Sequence, residues 1–242
     1  MEITSGMVQI RAVDGTMSAA LARPTADGKY PGVIVVQEAF GLNAHIKDVG
    51  ARIAREGYVT LAPDLYYREK NAVVGYDNLP EAIRLMMGLS DDKIVKDMGA
   101  AIAYLQQQPA VRGDRIGLTG FCMGGRVSFL TACLNPAVKA AVPFYGGGIG
   151  SAAPPAKAPL DYADTLAAPM LLFFGEKDGF IGLDEVERIK TRLAELKKNA
   201  EVIVYPGADH GFFCNERSSY HAESAKDAWT RLLKFLEKHL KA

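Results

Sequence analysis

The chain has 242 residues, 49% of them hydrophobic, and its 28 basic and 28 acidic side chains cancel. That balance supplies a sizeable apolar core, excludes an intrinsically disordered protein, and gives no basic block to attract nucleic acid or an anionic membrane surface. Met1-Glu2-Ile3-Thr4-Ser5-Gly6 lacks a basic-then-apolar leader, no apolar run is long enough to span a bilayer, and Cys122, Cys133 and Cys214 are widely spaced without a CxxC pair, so a reducing cytoplasm is the expected compartment.

Met7 to Val13 alternates apolar and polar residues and predicts a half-buried antiparallel strand, paired with Ser18 to Ala22 through a turn at Asp14-Gly15. Gly32-Val33-Ile34-Val35-Val36 is short, continuous and apolar, as a strand buried on both faces should be. Ile46, Val49 and Ile53 then share one helical face, with Gly57 at the expected C-cap, and Tyr58 to Ala62 is another strand. Tyr66 to Leu89 breaks the alternation, with one short helix around Pro80 to Met87. Val95, Met98, Ile102 and Leu105 form the next stripe, with Ser90 or Asp91 as N-cap.

Strands follow at Ile116 to Thr119, Ala140 to Phe144, Met170 to Phe174 and Val202 to Tyr205. Between them Gly146 to Pro169, rich in Gly, Ala and Pro, predicts an irregular surface connection. Val186, Ile189, Leu193 and Leu196 mark a further helix, and Trp229, Leu232, Leu233 and Leu236 a long C-terminal one. The alternation predicts one α/β domain over residues 1–242: a mostly parallel sheet, helices on both faces and an N-terminal antiparallel hairpin at one edge. Ligands of such sheets bind beyond the carboxyl ends of the strands, so both irregular stretches are candidate pocket walls.

Gly120-Phe121-Cys122-Met123-Gly124-Gly125, after the run Arg115 to Thr119, carries the strongest chemical signal. It reads as a strand turning sharply into a helix, with a nucleophile at the apex and glycines where a larger residue would clash, which is the geometry of a hydrolase nucleophile elbow carrying Cys in place of Ser. The helix N-terminus favours thiolate and offers backbone N–H groups to an oxyanion. Cys133 and Cys214 read instead as small buried hydrophobes.

Of four histidines, His239 lies in the last helical turn, His221 begins the terminal helix and His45 precedes the nucleophile. His210, in Gly207-Ala208-Asp209-His210-Gly211-Phe212, follows the last predicted strand and occupies the slot of the base. Asp178, in Phe174-Gly175-Glu176-Lys177-Asp178, is the natural carboxylate to orient it; Asp209 and Asp184 are weaker substitutes. The chain order nucleophile, acid, histidine is that of α/β-hydrolases. Glu38, in Val36-Gln37-Glu38-Ala39-Phe40-Gly41, lies on the loop that normally supplies the second oxyanion donor; it could cap the next helix or hold the thiol proton.

On these motifs the chain resembles the dienelactone hydrolase (carboxymethylenebutenolidase) family over nearly its whole length. The resemblance implies an α/β-hydrolase fold without a large lid and hydrolysis of enol-lactones or related esters by a Cys122, His210 and Asp178 triad. It implies that the resting thiol meets the loop carboxylate of Glu38, and that backbone N–H groups of Met123 and Ala39 stabilise the oxyanion. Family members bind a substrate carboxylate with arginines; Arg217 and Arg84 are the candidates, each also readable as a solvated surface residue, and Tyr145 is a candidate pocket wall. Arg217 lies farther beyond the histidine than is usual in the family.

No cofactor is expected, no metal site either (the chain has no HxH, HExxH or paired-Cys spacing), and the expected state is a monomer acting on a small ester or lactone. Alternative readings are a carboxylesterase or thioesterase acting on other small esters, or a non-catalytic, ligand-binding or redox-sensing protein with Cys122 as a reactive thiol.

Overall fold

A computed structural model describes residues 1–152 and 157–242. The chain divides into two compact units, Met1–Gly117 and Leu118–Ala242.

The first unit opens with a hairpin of β1 (Ile3–Ala12) and β2 (Gly15–Pro24), in register from Ile3 opposite Pro24 to Ala12 opposite Gly15. Its turn is Val13-Asp14, with Gly15 already in the second strand. Both strands outrun the alternating segments, because backbone pairing continues past Ser5 and Gly6, which carry no apolar signal. β2 pairs antiparallel with β4 (Val59–Pro63), which lies parallel to β3 (Tyr30–Val36). Val33 to Val36 are fully buried, as a run with no polar member requires.

Helix α1 (Ala44–Arg55) buries Ile46, Val49 and Ile53, and its N-cap Asn43 accepts the Ile46 N–H at 3.1 Å. Helices α2 (Leu79–Met87) and α3 (Asp91–Gln106) follow; the buried stripe of α3 starts at Ile94 rather than Val95. The irregular stretch before α2 is fastened by a long-range ion pair. Arg68 places Nη1 and Nη2 2.6 and 3.1 Å from the two carboxylate oxygens of buried Asp97 on α3, and its Nε 2.8 Å from Asp14 in the hairpin turn. Such a bidentate contact, made at low exposure, holds its geometry far better than a surface pair does.

Strand β5 (Val111–Phe121) carries the chain from the first unit into the second. It starts before the predicted Ile116 because Arg112, Asp114 and Arg115 hide its first residues from an apolar reading. In the second unit β6 (Val138–Phe144), β7 (Met170–Gly175) and β8 (Ala200–Tyr205) run parallel, β7 and β8 in register from Met170 opposite Ala200 to Gly175 opposite Tyr205. Helices α4 (Met123–Leu134), α5 (Leu183–Glu195) and α6 (Ala222–Leu236) complete it. Of the irregular connection between β6 and β7, residues 153–156 lie outside the described residues, and Pro159–Thr165 forms a 3-10 helix.

The strand order is β1-β2-β4-β3-β5-β6-β7-β8, an eight-stranded, mostly parallel sheet with the antiparallel hairpin at one edge. Among the described residues no helix is long and apolar enough to cross a membrane.

Candidate active site

Cys122 stands between β5 and α4 with φ +55° and ψ −119°. Only an over-determined turn holds a non-glycine residue there. Three backbone bonds do so: the Cys122 N–H donates to the Phe144 carbonyl at 3.1 Å, and its own carbonyl accepts from Gly125 at 2.9 Å and Arg126 at 3.3 Å. The glycines have a steric cause. A Cβ on Gly120 would collide with the Gly124 carbonyl and stand 2.6 Å from Ser128 Oγ, and one on Gly125 would strike the Phe144 carbonyl. Met123 is therefore the first helical residue, where a backbone N–H lacks an intrahelical acceptor.

Asp178 lies in the turn after β7, with its side chain excluded from solvent. Its Oδ1 accepts the N–H groups of Phe180 at 2.9 Å and Ile181 at 3.0 Å, and its Oδ2 lies 2.8 Å from His210 Nδ1. Both oxygens are thus occupied, so the carboxylate cannot rotate without breaking one set of bonds. The His210 loop is stitched to the Asp178 turn by Lys177 N–H to the Ala208 carbonyl and Gly207 N–H to Glu176 Oε2, each 2.8 Å. Asp209 instead accepts the N–H groups of His210 in its own loop and of Gly179 in the Asp178 turn, and Asp184 lies in the first turn of α5. Neither orients the imidazole.

The Asp178 oxygen at Nδ1 accepts the ring proton there and leaves Nε2 for the hydrogen bond with Cys122. Burial would lower the basicity of His210. The charge of the Cys122 sulfur and the bonds to Asp178 and Cys122 override it and push the imidazole up to about 10. Tyr145 and Phe180 meet the ring edge-on at 5.2 and 5.1 Å. Tyr145 is fully buried at φ +34°, while Phe180 is 64% exposed, an unusual place for a large apolar ring. Arg217 lies near the same loop: at Gly211 (φ +77°) a Cβ would fall on the Arg217 guanidinium. The second unit thus brings together Cys122, His210, Asp178 and Tyr145, with Arg217 against the residue after His210.

The other candidates belong to the first unit. Glu38 is fully buried, and its Oε2 accepts from the Tyr76 hydroxyl at 2.9 Å. Ala39 is buried with its carbonyl held by the Tyr66 hydroxyl at 3.0 Å, and Gln37 Oε1 accepts the Leu65 N–H at 3.2 Å. Arg84 lies on an exposed face of α2, with Nε and Nη2 each 2.8 Å from the Glu81 carboxylate. Burial pushes the Cys133 thiol up to about 12, which makes it a packing residue, and Cys214 is fully buried.

The sequence profile of the dienelactone hydrolase family matches residues 17–240. The chain belongs to the dienelactone hydrolase family. A Synechocystis protein provisionally named carboxymethylenebutenolidase is 42% identical over 247 residues, covering 100% of this chain and 99% of its own. A Bradyrhizobium protein, provisionally named 2-oxo-3-(5-oxofuran-2-ylidene)propanoate lactonase, is 36% identical and covers 92% of this chain and 89% of its own. The crystal structure of a Klebsiella pneumoniae protein, provisionally named a dienelactone hydrolase, superposes with a TM-score of 0.90 at 39% identity, over 99% of this chain and 100% of the other. The fold is that of the α/β-hydrolases, and the family is one of hydrolases acting on ester or lactone bonds.

Two features of this dienelactone hydrolase family member escaped sequence reasoning. Tyr76, the donor to Glu38, sits in the irregular segment 71–78, where a lone aromatic beside Gly75 was the only available signal. Asp64, directly after β4, is buried and accepts the Tyr66 N–H at 2.9 Å. Desolvation raises its carboxyl to about 6, against the lowering effects of that N–H and of Lys47.

Proposed function

We propose that this protein hydrolyses enol-lactones of the dienelactone type through an acyl-enzyme on Cys122. The observation that carries the reading is the Asp178–His210–Cys122 chain, built on a strained elbow, with Asp178 and His210 buried and Cys122 partly exposed. In the attacking state the pair is thiolate and imidazolium, as the raised basicity of His210 supports. The sulfur adds to the lactone carbonyl carbon, and the carbonyl oxygen becomes an oxyanion facing the N–H groups of Met123 and Ala39; one such donor is typically worth ~3 kcal/mol of barrier. The ring C–O bond then breaks, expelling an enolate that takes the imidazolium proton. Neutral His210, oriented by Asp178, removes a proton from water as the water attacks the thioester. The C–S bond breaks, the acid leaves, and thiolate and imidazolium are restored.

Before substrate arrives the Cys122 thiol keeps its proton and is assigned a contact with Glu38; substrate binding rearranges that contact and releases the thiolate. The complete burial of Glu38 and its bond from Tyr76 support a carboxylate kept for a proton-handling task. The name of the Bradyrhizobium relative, a propanoate attached to an unsaturated lactone, supports a substrate that carries a carboxylate. Arg217, beside the His210 loop, is the proposed anchor, and Tyr145 a wall of the pocket. Arg84 is engaged by the Glu81 carboxylate through Nε and Nη2, and this favours a second reading, hydrolysis of small neutral esters or thioesters by the same triad.

Kinetics on a carboxylate-bearing enol-lactone and on a neutral activated ester separate the two. Arg217→Ala should raise KM for the lactone ~10-fold or more while leaving the neutral ester unaffected. Equal loss on both, or a clear preference of the unaltered protein for the neutral ester, would favour the second reading.

A further inference from the structure

Two hydrogen bonds lead from the α1 N-cap to Glu38 in one direction. Asn43 caps α1 with its Oδ1, which accepts the Ile46 N–H at 3.1 Å. That bond fixes the amide's orientation, so the group turned toward Tyr76 is the Nδ2 amine, 2.9 Å from the phenol oxygen. An amide nitrogen only donates, so the Tyr76 oxygen is the acceptor there, and its single proton points onward to Glu38 Oε2 at 2.9 Å. We propose that Asn43 and Tyr76 are positioning residues: a donor chain, started at the α1 N-cap, that holds Glu38 Oε2 as a permanent acceptor and thereby confines proton exchange to Oε1.

Tyr76 is seated independently of its hydroxyl. Its ring meets Phe40 edge-on with centroids 4.7 Å apart. The Val74 N–H donates to the Phe40 carbonyl at 3.0 Å, and the Gly41 backbone passes directly against the Ala72 carbonyl. The segment 72–76 is thus strapped onto the 38–42 loop by backbone and ring, and removing the phenol oxygen leaves the strap intact. A further titratable neighbour within the same unit is His45, whose ring nitrogen is within 4.8 Å of the Glu38 carboxylate. It sits in the first turn of α1, so the helix cap that starts the chain also sets where this imidazole stands.

The inference rests on the assigned contact of Glu38 with the Cys122 thiol, and a double-mutant cycle separates the two. Tyr76→Phe, Glu38→Gln and the double variant are compared by kcat and KM on a carboxylate-bearing enol-lactone, with thermal melting as a control. Tyr76→Phe should lower kcat ~10-fold with KM unchanged, and should have no further effect in the Glu38→Gln background. Asn43→Ser, which keeps a cap oxygen but lacks the amine, should reproduce the Tyr76→Phe loss at an unchanged melting temperature. A Tyr76→Phe effect that persists in full without the Glu38 carboxylate, is confined to KM, or is absent while Glu38→Gln is slow overturns the donor chain and leaves the Glu38 assignment standing. Full activity of Glu38→Gln overturns both.

Discussion

At Cys122 and His210 a buried base is held charged by a sulfur. Burial alone would make His210 a weaker base than free imidazole, and the direction reverses because the Cys122 sulfur and Asp178 lie against its two nitrogens. Removing the sulfur should therefore move the imidazole down. In Cys122→Ala the His210 pKa, read from its ring resonances across a pH series, is expected to fall by more than one unit from about 10. An unchanged titration would show that Asp178 acts alone. The two backbone donors on Asp178 Oδ1 matter here as well, because they spend one carboxylate oxygen on geometry and leave the other for the ring.

At the level of elements, the elbow and the end of β4 make opposite predictions. Gly120→Ala puts a methyl group onto the Gly124 carbonyl, a backbone atom that cannot move aside without unwinding the first turn of α4. A loss of about 3 kcal/mol in urea unfolding is expected, together with lost activity; a variant as stable as the unaltered protein would contradict the steric account. Asp64 is a carboxylate raised to about 6 by burial. A raised group contributes stability that is complete below the ordinary carboxylate pKa and is lost as pH climbs through about 6. Asp64→Asn, neutral throughout and still able to accept the Tyr66 N–H, should stabilise the protein at pH 8 by on the order of 2 kcal/mol and change little at pH 4. Urea midpoints at the two pH values test this, and a variant destabilised at pH 8 would mean the charge is needed.

Across the whole molecule, what was legible from sequence was whatever is encoded locally. The continuous run Val33 to Val36, the glycines around Cys122 and the loop positions of Asp178 and His210 each carry their meaning within a few residues. The Tyr76–Glu38 bond spans 38 positions and the Arg68–Asp97 pair 29, and neither leaves a periodic trace in the chain. Arg84 shows the reverse case: nothing in its own segment distinguishes a substrate anchor from the partner of Glu81 three residues before it. The match of the dienelactone hydrolase family over residues 17–240 gives the reaction class, and the acyl-enzyme on Cys122 is the claim on which the proposed chemistry turns. It is tested most directly by intact-protein and peptide mass spectrometry of His210→Ala, mixed with a carboxylate-bearing enol-lactone and quenched in acid. With deacylation blocked, the account predicts one added acyl mass located on Cys122 and none when Cys122 is also replaced by alanine. Unimpaired turnover by Cys122→Ala, or an adduct on another residue, would contradict it.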